Sequence, residues 1–545
     1  MIRDLDQLTA RTFDVLVVGG GIYGLTIAYD AAQRGLSVAL IERDDFGSGA
    51  SFNHLRTVHG GLRYLQSLDL RRARESVVER RTVARIAPHT VRPLAYALPL
   101  YRSLTRGKLA MYAGFALDRL VAAGRNQGVP ASLRLPGGRV VSKTQAIQRF
   151  PGLRRQGLTG AAVFYDYVMT EPDRLTFSYG QAAVQSGAVL VNHVDALAPL
   201  VDGPRVVGVR AHDAVDGRTF EIAAQVTVNA TGGAVDRFLR PLGLSAGVPM
   251  MKAMNLVTRR DAGDEALGGR SPSGRNLFLV PWREHALFGT WESAEVCAPD
   301  DTTVNEADVA AFIAELNQAF PALDLTRADV TLVHRGVVPA AVHGNRVSLQ
   351  GHEQVRDHAT TGIEGLVTVA GTKFTTARGV AQRVTDTLLS KLQHAPVACR
   401  TADTTLSGGD VRDLGLAIAA ARREFDEGLP SDTIPHLLAA YGSGYRTVMD
   451  LAADRPDWRT RLSPDSPVIG AQLVHAVRKE MAVTLADAVM RRTPLGALGC
   501  PTDEALARAA TIVGAELGWS ESRRLAEIAE VRNAYGYGTV KALKT

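Results

Sequence analysis

Phe13-Asp14-Val15-Leu16-Val17-Val18-Gly19-Gly20-Gly21-Ile22-Tyr23-Gly24 is the stretch whose reading decides the fold. A β-branched apolar run enters a glycine turn, and residues 25–34 continue as an alanine-rich helix that Gly35 ends. Ser37-Val38-Ala39-Leu40-Ile41-Glu42 then reads as a second buried strand, completing one βαβ unit of about thirty residues, the length such a unit requires. Gly19, Gly21 and Gly24 take the spacing G-x-G-x-x-G. One glycine makes the tight turn, one lets backbone approach a pyrophosphate, and one lets helix pack closely on strand. Glu42 closes the second strand about twenty residues on, where a carboxylate accepts both hydroxyls of an adenosine ribose. The expectation is a Rossmann-type α/β domain that binds a dinucleotide.

The turn alone does not separate NAD from FAD. Asn229-Ala230-Thr231-Gly232-Gly233, which follows the strand Val226-Thr227-Val228, resembles the ATG turn of two-dinucleotide-binding FAD proteins and favours FAD, with Thr231 and Gly232 in the cofactor set. A second turn, Gly371-Thr372-Lys373-Phe374-Thr375-Thr376, follows a late apolar strand and leads into a helix. There the backbone N–H groups of Gly371, Thr372 and Phe374 are expected to face the pyrimidine edge of a flavin.

With 545 residues, 46% of them hydrophobic and 22% charged, the chain is long enough for two or three domains, each with its own core. Cys297, Cys399 and Cys500 stand far apart with no CxxC pair. Neither a disulfide framework nor a metal site is expected, and a reducing cytoplasm fits. Residues 1–13 lack the apolar core of a signal peptide, and no stretch reads as a spanning helix. The net charge of +6 is modest and no nucleic-acid motif is present, so a nucleic-acid role is set aside.

Along the chain, 69–86 carries arginines and glutamates at helical spacing, and 94–123 mixes apolar runs with Arg102, Arg106, Lys108 and Arg119. Both are expected to present an exposed face, and Arg71, Arg72, Arg74, Arg80 and Arg81 are candidates for contact with anionic lipid. The same arginines, paired with Glu75 and Glu79, read equally well as a solvated helix face. Short strands with the turns Asp202-Gly203 and Asp216-Gly217 follow, then a strand-rich region around 246–350 that is expected to wall a pocket. The first 400 residues therefore read as one oxidoreductase body, with cofactor elements at about 13–65, 160–245 and 365–395. From 401 to 545 the composition is that of an all-α domain, with helices over 412–427 and 471–492.

His59-Gly60-Gly61-Leu62-Arg63-Tyr64-Leu65, the Asn229-Ala230-Thr231-Gly232 turn, the 371–376 element and Arg491-Arg492-Thr493 together resemble the family of FAD-dependent, quinone-linked glycerol-3-phosphate dehydrogenases, over nearly the whole chain. The resemblance implies that Arg63 and Tyr64 line a substrate phosphate and that Lys373 and Thr375 stand at the same pocket. A bidentate guanidinium suits that anion. The residues alone leave open that Arg63, Tyr64 and Lys373 cap a helix or pair with acidic neighbours. Arg43, Ser51, His59, Gly60 and Gly61 join the expected FAD contacts.

Three positions depart from the family pattern: Val338 stands for an arginine before proline, Asn255 for a histidine, and Trp291 for a threonine. Oxidising an alcohol needs a base near working pH, which makes histidine the natural type. His334 is the first replacement, with Arg335 beside it as a compensating cation. His59 and His54 are further choices, and Asn255 and Lys373 complete the catalytic set.

The expected function is oxidation of a hydroxyl of glycerol 3-phosphate or a close phosphorylated polyol, with electrons passed to a quinone by a cytoplasmic enzyme resting on the inner face of the membrane. A homodimer is compatible with this. An oxygen-using oxidase of an amine or hydroxy acid, or a flavin-binding interaction protein without turnover, are the competing readings.

Overall fold

The computed structural model describes residues 1–536 apart from 104–106, 151–152, 154, 345 and 426–427. Arg106, Glu427 and the last nine residues of the C-terminal region therefore lie outside the described residues.

Phe13–Val18 forms the centre of the first sheet, flanked by Val38–Ile41 and Thr219–Asn229, with Val189–Val191 and Leu366–Ala370 beyond them, all parallel. A strand buried on both faces needs apolar residues at every position, which is why this run does not alternate. Val15 and Val17 pack on the helices Ile22–Gln33, Pro172–Gln185 and Ala377–Lys391, while Leu16 and Val18 meet a second core under Val206, Val209 and Val235. The glycine turn thus sits at the carboxyl edge of a parallel sheet, where α/β folds bind ligands.

The second sheet runs Arg346–Leu349, Val330–His343, Met250–Thr258, His285–Cys297, Asn276–Trp282, Ala266–Arg270, Val91–Tyr101, Leu158–Met169 and Thr57–Val58, with Arg139–Ser142 also pairing Leu158–Met169. It recruits earlier segments than the 246–350 region expected to build it. The strand at 158–169 belongs to this sheet. Behind the sheet, Val309, Phe312, Ile313 and Leu316 of the helix Glu306–Ala319 close the core.

Leu70–Ile86 is a helix, as its spacing implies, but its arginines do not share an exposed face. Arg80 is buried on Asp166, Arg74 donates to the carbonyls of Val121 and Ala123, and Arg81 donates to that of Gly124. Arg72 lies over the Tyr64 ring. Arg72, Arg74, Arg80 and Arg81 therefore make internal contacts, whereas Arg71 is exposed.

The C-terminal region is mostly helical but not all-α, since Arg461–Ser463 and Ser466–Ile469 form a hairpin. Residues 471–492 are not one helix either: Gly470–Glu480 ends on left-handed Met481, and a π-helical turn spans Asp487–Arg492. The break lets this region clasp the first domain. Buried Arg492 makes two hydrogen bonds to Asp45, at 2.6 and 2.7 Å, and Arg174 makes two to Glu480, at 2.5 and 2.7 Å. Burial works to raise the pKa of Glu480, but Arg174 and His475 override it and hold the carboxyl well below its ordinary value. Glu480→Gln leaves a buried guanidinium without its counter-charge, so it should cost about 3–5 kcal/mol. Chemical denaturation of the holoprotein followed by tryptophan fluorescence should show the midpoint fall by that free energy divided by the denaturant slope m, whereas a shift within error would mean the clasp is dispensable.

Candidate active site

The tight strand-to-helix turn leaves no room for side chains. A Cβ on Gly24 would stand 1.8 Å from the Gly19 carbonyl oxygen, and Gly19, at φ +107°, lies against Ala230 of the 229–233 turn. The two glycine turns, about 210 positions apart in sequence, therefore touch. Glu42 accepts the Gly20 N–H at 2.6 Å and the Asp44 N–H at 2.9 Å, and burial raises its pKa, with Asp44 adding to the effect. Ser51 Oγ accepts the Ile22 N–H at 2.9 Å, so the segment that follows the βαβ unit starts at the amino end of its helix. Helix-start N–H donors and a strand-end carboxylate acceptor are the set that the adenosine diphosphate half of FAD requires, and the absent Cβ atoms give backbone-close access to it. Thr231 Oγ1 donates to Asn229, shaping the second turn, with Gly232 left-handed beside it. Arg43, expected to serve the cofactor, is engaged bidentately with Asp300.

From Ser51 the chain runs into a cavity of about 1420 Å³ where residues 50–72, the second sheet and residues 372–375 meet. Gly61 is the pivot. It sits at φ +74°, and a Cβ there would lie 2.7 Å from the Tyr64 ring and 2.8 Å from Ser76 Oγ. Gly60 donates its N–H to Asp166 at 2.7 Å, and His59 donates its N–H to Thr375 Oγ1 at 3.3 Å, which joins the 59–65 and 371–376 elements. Tyr23 donates its hydroxyl to the Lys373 carbonyl at 3.2 Å, against a Gly371 that has no space for a Cβ.

Three cations surround Tyr64. The Arg72 guanidinium stands 4.1 Å, the Lys373 ammonium 4.5 Å and the Arg63 guanidinium 5.2 Å from the ring centroid. Lys373 also donates to Ser76 Oγ. Among the described residues neither Arg63 nor Arg72 forms a salt bridge, and both line the cavity. Permanent guanidinium charge without a protein counter-ion makes this corner a site for an anion. Burial, and after it Arg72, lower the Lys373 pKa to about 7.

The sheet wall opposite is formed by Ala253, Asn255, Thr290, Glu292, Gly336 and Val338. Asn255 accepts from Thr290 Oγ1 at 3.0 Å and donates to the Asn53 carbonyl at 3.3 Å. An amide in that position orients the wall and takes no proton. Trp291 turns away from the cavity and packs on the core behind the sheet, so it does not reshape the pocket.

His334 shares the parity of Gly336 and Val338 yet does not reach the cavity, because residues 52–56 cover it. It is fully buried, 5.5 Å edge-on from Phe52 and 3.5 Å from the Arg56 guanidinium. Burial, then Arg56, depress its pKa well below the usual value. The structure thus does not bring His334, expected as proton acceptor, to the cavity. Arg335, on the other face of the strand, donates to the Gly536 carbonyl and is not a substrate contact. His54 lines the cavity, but its Nδ1 already accepts the Arg56 N–H at 3.0 Å. Arg72, Ser76, Asp166 and Glu292 belong to the site without having been assigned to it from sequence, where Arg72 was read as a lipid contact. The i, i+4 pair of Arg72 and Ser76 one helix turn apart was the signal available for two of them.

A family model described as FAD dependent oxidoreductase matches residues 14–387, and one described as the C-terminal domain of alpha-glycerophosphate oxidase matches 399–524. The chain is 30% identical over 513 residues to a glycerol-3-phosphate dehydrogenase of Synechocystis sp., covering 91% of each chain. It is 32% identical over 523 residues to one of Mycobacterium leprae, covering 94% of this chain and 86% of that one. The structure of the glycerol-3-phosphate dehydrogenase from Bacillus halodurans complexed with FAD superposes with a TM-score of 0.77 at 25% identity, over 99% of this chain and 97% of that one.

Proposed function

Because the chain belongs to the family of FAD-dependent glycerol-3-phosphate dehydrogenases, we propose that it oxidises a hydroxyl of glycerol 3-phosphate or a close phosphorylated polyol and passes the electrons to a quinone. The observation that carries the substrate reading is the unpaired cation corner of Arg63, Arg72 and Lys373 around Tyr64. FAD, when bound, supplies the hydride acceptor.

Within this reading Arg63 and Arg72 hold the phosphate, and Lys373 takes the hydroxyl proton. Of the other titratable candidates, His334 is covered, and His59 is kept far from protonation by burial and by Lys373. A base with a pKa near working pH combines availability with driving force, and Lys373 at about 7 meets that condition. The amine accepts a proton only when neutral, so kcat/KM should rise as pH climbs through about 7 and level off above it. Stopped-flow flavin reduction across pH 5.5 to 9, at constant ionic strength, checks this. A profile that falls through the same window would instead assign Lys373 to phosphate binding as a cation.

The acceptor reading draws on the helix Lys108–Val121. Leu109, Tyr112, Ala113, Ala116 and Leu120 form its exposed face, next to exposed Leu68 and Leu70, with Lys108, Arg119 and Arg71 at the border. Its other side, through Met111, Gly114 and Leu117, lines the cavity. An apolar helix face rimmed by basic residues suits the surface of an anionic membrane and stands where an apolar acceptor would enter. No helix among the described residues is long and apolar enough to cross a membrane.

Anaerobic bleaching of the flavin by glycerol 3-phosphate or its analogues, followed by reoxidation with a short-chain quinone, tests the whole reading. The absence of bleaching by every phosphorylated polyol would reject it.

A further inference from the structure

We propose that Glu292 sets the specificity of the cavity, and that the preferred substrate is a polyol phosphate longer than three carbons whose distal hydroxyls donate to the Glu292 carboxylate. This rests on the reading of the cavity as a phosphorylated-polyol site.

Glu292 lies on His285–Cys297, two residues past Thr290 and on the same cavity-facing side. It pairs across the sheet with Ala253, which in turn pairs with Gly336. The row Glu292, Ala253, Gly336 therefore has two residues without functional side chains and one carboxylate. Val338 adds no charge to this wall.

Among the described residues the Glu292 carboxylate has no hydrogen bond and no ion pair. Burial raises its pKa, and the charges that oppose the shift are Arg275, Arg63 and Arg346. A half-buried carboxylate that faces the cavity without a protein donor presents both oxygens as acceptors to a ligand. Those same cations count against an ammonium as the supplier. Hydroxyl groups satisfy the carboxylate without that repulsion, and Asn276, which also lines the cavity, offers a neutral partner for more of them.

The cation corner around Tyr64 holds the phosphate, and Glu292, near enough to Arg63 to feel its charge, faces the same cavity. A volume of about 1420 Å³ is larger than the usual small-ligand pocket of roughly 300–1,000 Å³, so space remains for a longer chain after the flavin ring is seated.

Anaerobic flavin reduction of the holoenzyme is to be measured with glycerol 3-phosphate and with phosphates of four-, five- and six-carbon polyols, for the unaltered protein, Glu292→Gln and Glu292→Ala. The expected result is a kcat/KM at least about tenfold higher for one of the longer compounds, since a hydrogen bond to a charged group is worth about 1.5–3 kcal/mol. In Glu292→Ala that preference should collapse, mainly through KM, with Glu292→Gln intermediate because its amide oxygen still accepts. The flavin-to-protein ratio reports whether each variant has folded. Glycerol 3-phosphate equal to or better than every longer compound would overturn the proposal and leave the phosphorylated-polyol reading intact. An equal loss for short and long substrates in Glu292→Ala would overturn it as well. Reduction by no phosphorylated polyol at all would remove both.

Discussion

Arg72→Met should lower kcat/KM for the phosphorylated substrate by roughly 30- to 1,000-fold while the protein keeps its flavin. The expectation comes from the cation corner. Arg63 and Arg72 are the permanent charges there, neither has a carboxylate partner among the described residues, and Lys373 at a pKa of about 7 is only half protonated at neutral pH. A charge-assisted contact in a partly desolvated site is worth about 2–4 kcal/mol to a bound phosphate, which converts to roughly 30- to 1,000-fold. Arg63→Met should act similarly, and the double variant should lose less than the product of the two, because both guanidiniums address one anion. The ratio of kcat/KM between the phosphorylated and dephosphorylated forms of one polyol is the decisive reading. If that ratio does not change in either variant, the corner does not bind the phosphate. The Arg72 change also removes a cation that helps depress Lys373, so the rising limb of the pH profile should move upward.

Arg72 shows where sequence reasoning stops. Its helix carries so many charges that an exposed face is the natural inference, but Glu79 is met by Arg378 at 2.5 and 2.8 Å and Arg80 by Asp166. Those partners lie about 300 and 86 positions away. Burial of a charged helix depends on counter-charges that local spacing does not reveal. The βαβ unit is the opposite case: its strands, turn and helix are contiguous, and the two-sided burial of residues 15–18 is written in an unbroken apolar run.

His334 and Arg335 fall between these extremes. Strand alternation correctly assigns them to opposite faces, and it puts His334 on the side of Gly336 and Val338. What alternation cannot supply is the cover laid over that face by Phe52 and Arg56, from a segment almost 280 positions earlier. Glu292 was passed over for a related reason. Its importance depends on having no partner, and a missing contact has no local signature. The cofactor turns were legible because their chemistry is done by backbone, and backbone geometry is encoded by where glycine is required.

That last point yields the sharpest contrast available in the molecule. Gly24→Ala should give protein without bound flavin, or no soluble protein, because the added carbon would stand 1.8 Å from the Gly19 carbonyl oxygen and 3.0 Å from its carbon. The obstacle is the Gly19 backbone, so relief requires the helix Ile22–Gln33 to move off the strand and the turn to open. That movement would also pull Gly19 from Ala230 and spoil the second glycine turn. Gly21→Ala is the matched control: its new carbon meets only Ser51 Oγ, at 3.1 Å, and Gly21 has an ordinary negative φ of −71°. A serine side chain can yield by a few tenths of an ångström, so folding should survive. Yet a methyl group at the start of the helix stands where backbone is meant to approach a pyrophosphate, so flavin affinity should fall even though the protein folds. The ratio of flavin absorbance to protein absorbance after purification, and a titration of the apo form with FAD, separate the two. Full flavin occupancy in Gly24→Ala would show that the turn has slack its geometry denies. Unaltered affinity in Gly21→Ala would mean that the pyrophosphate does not lie against this helix start.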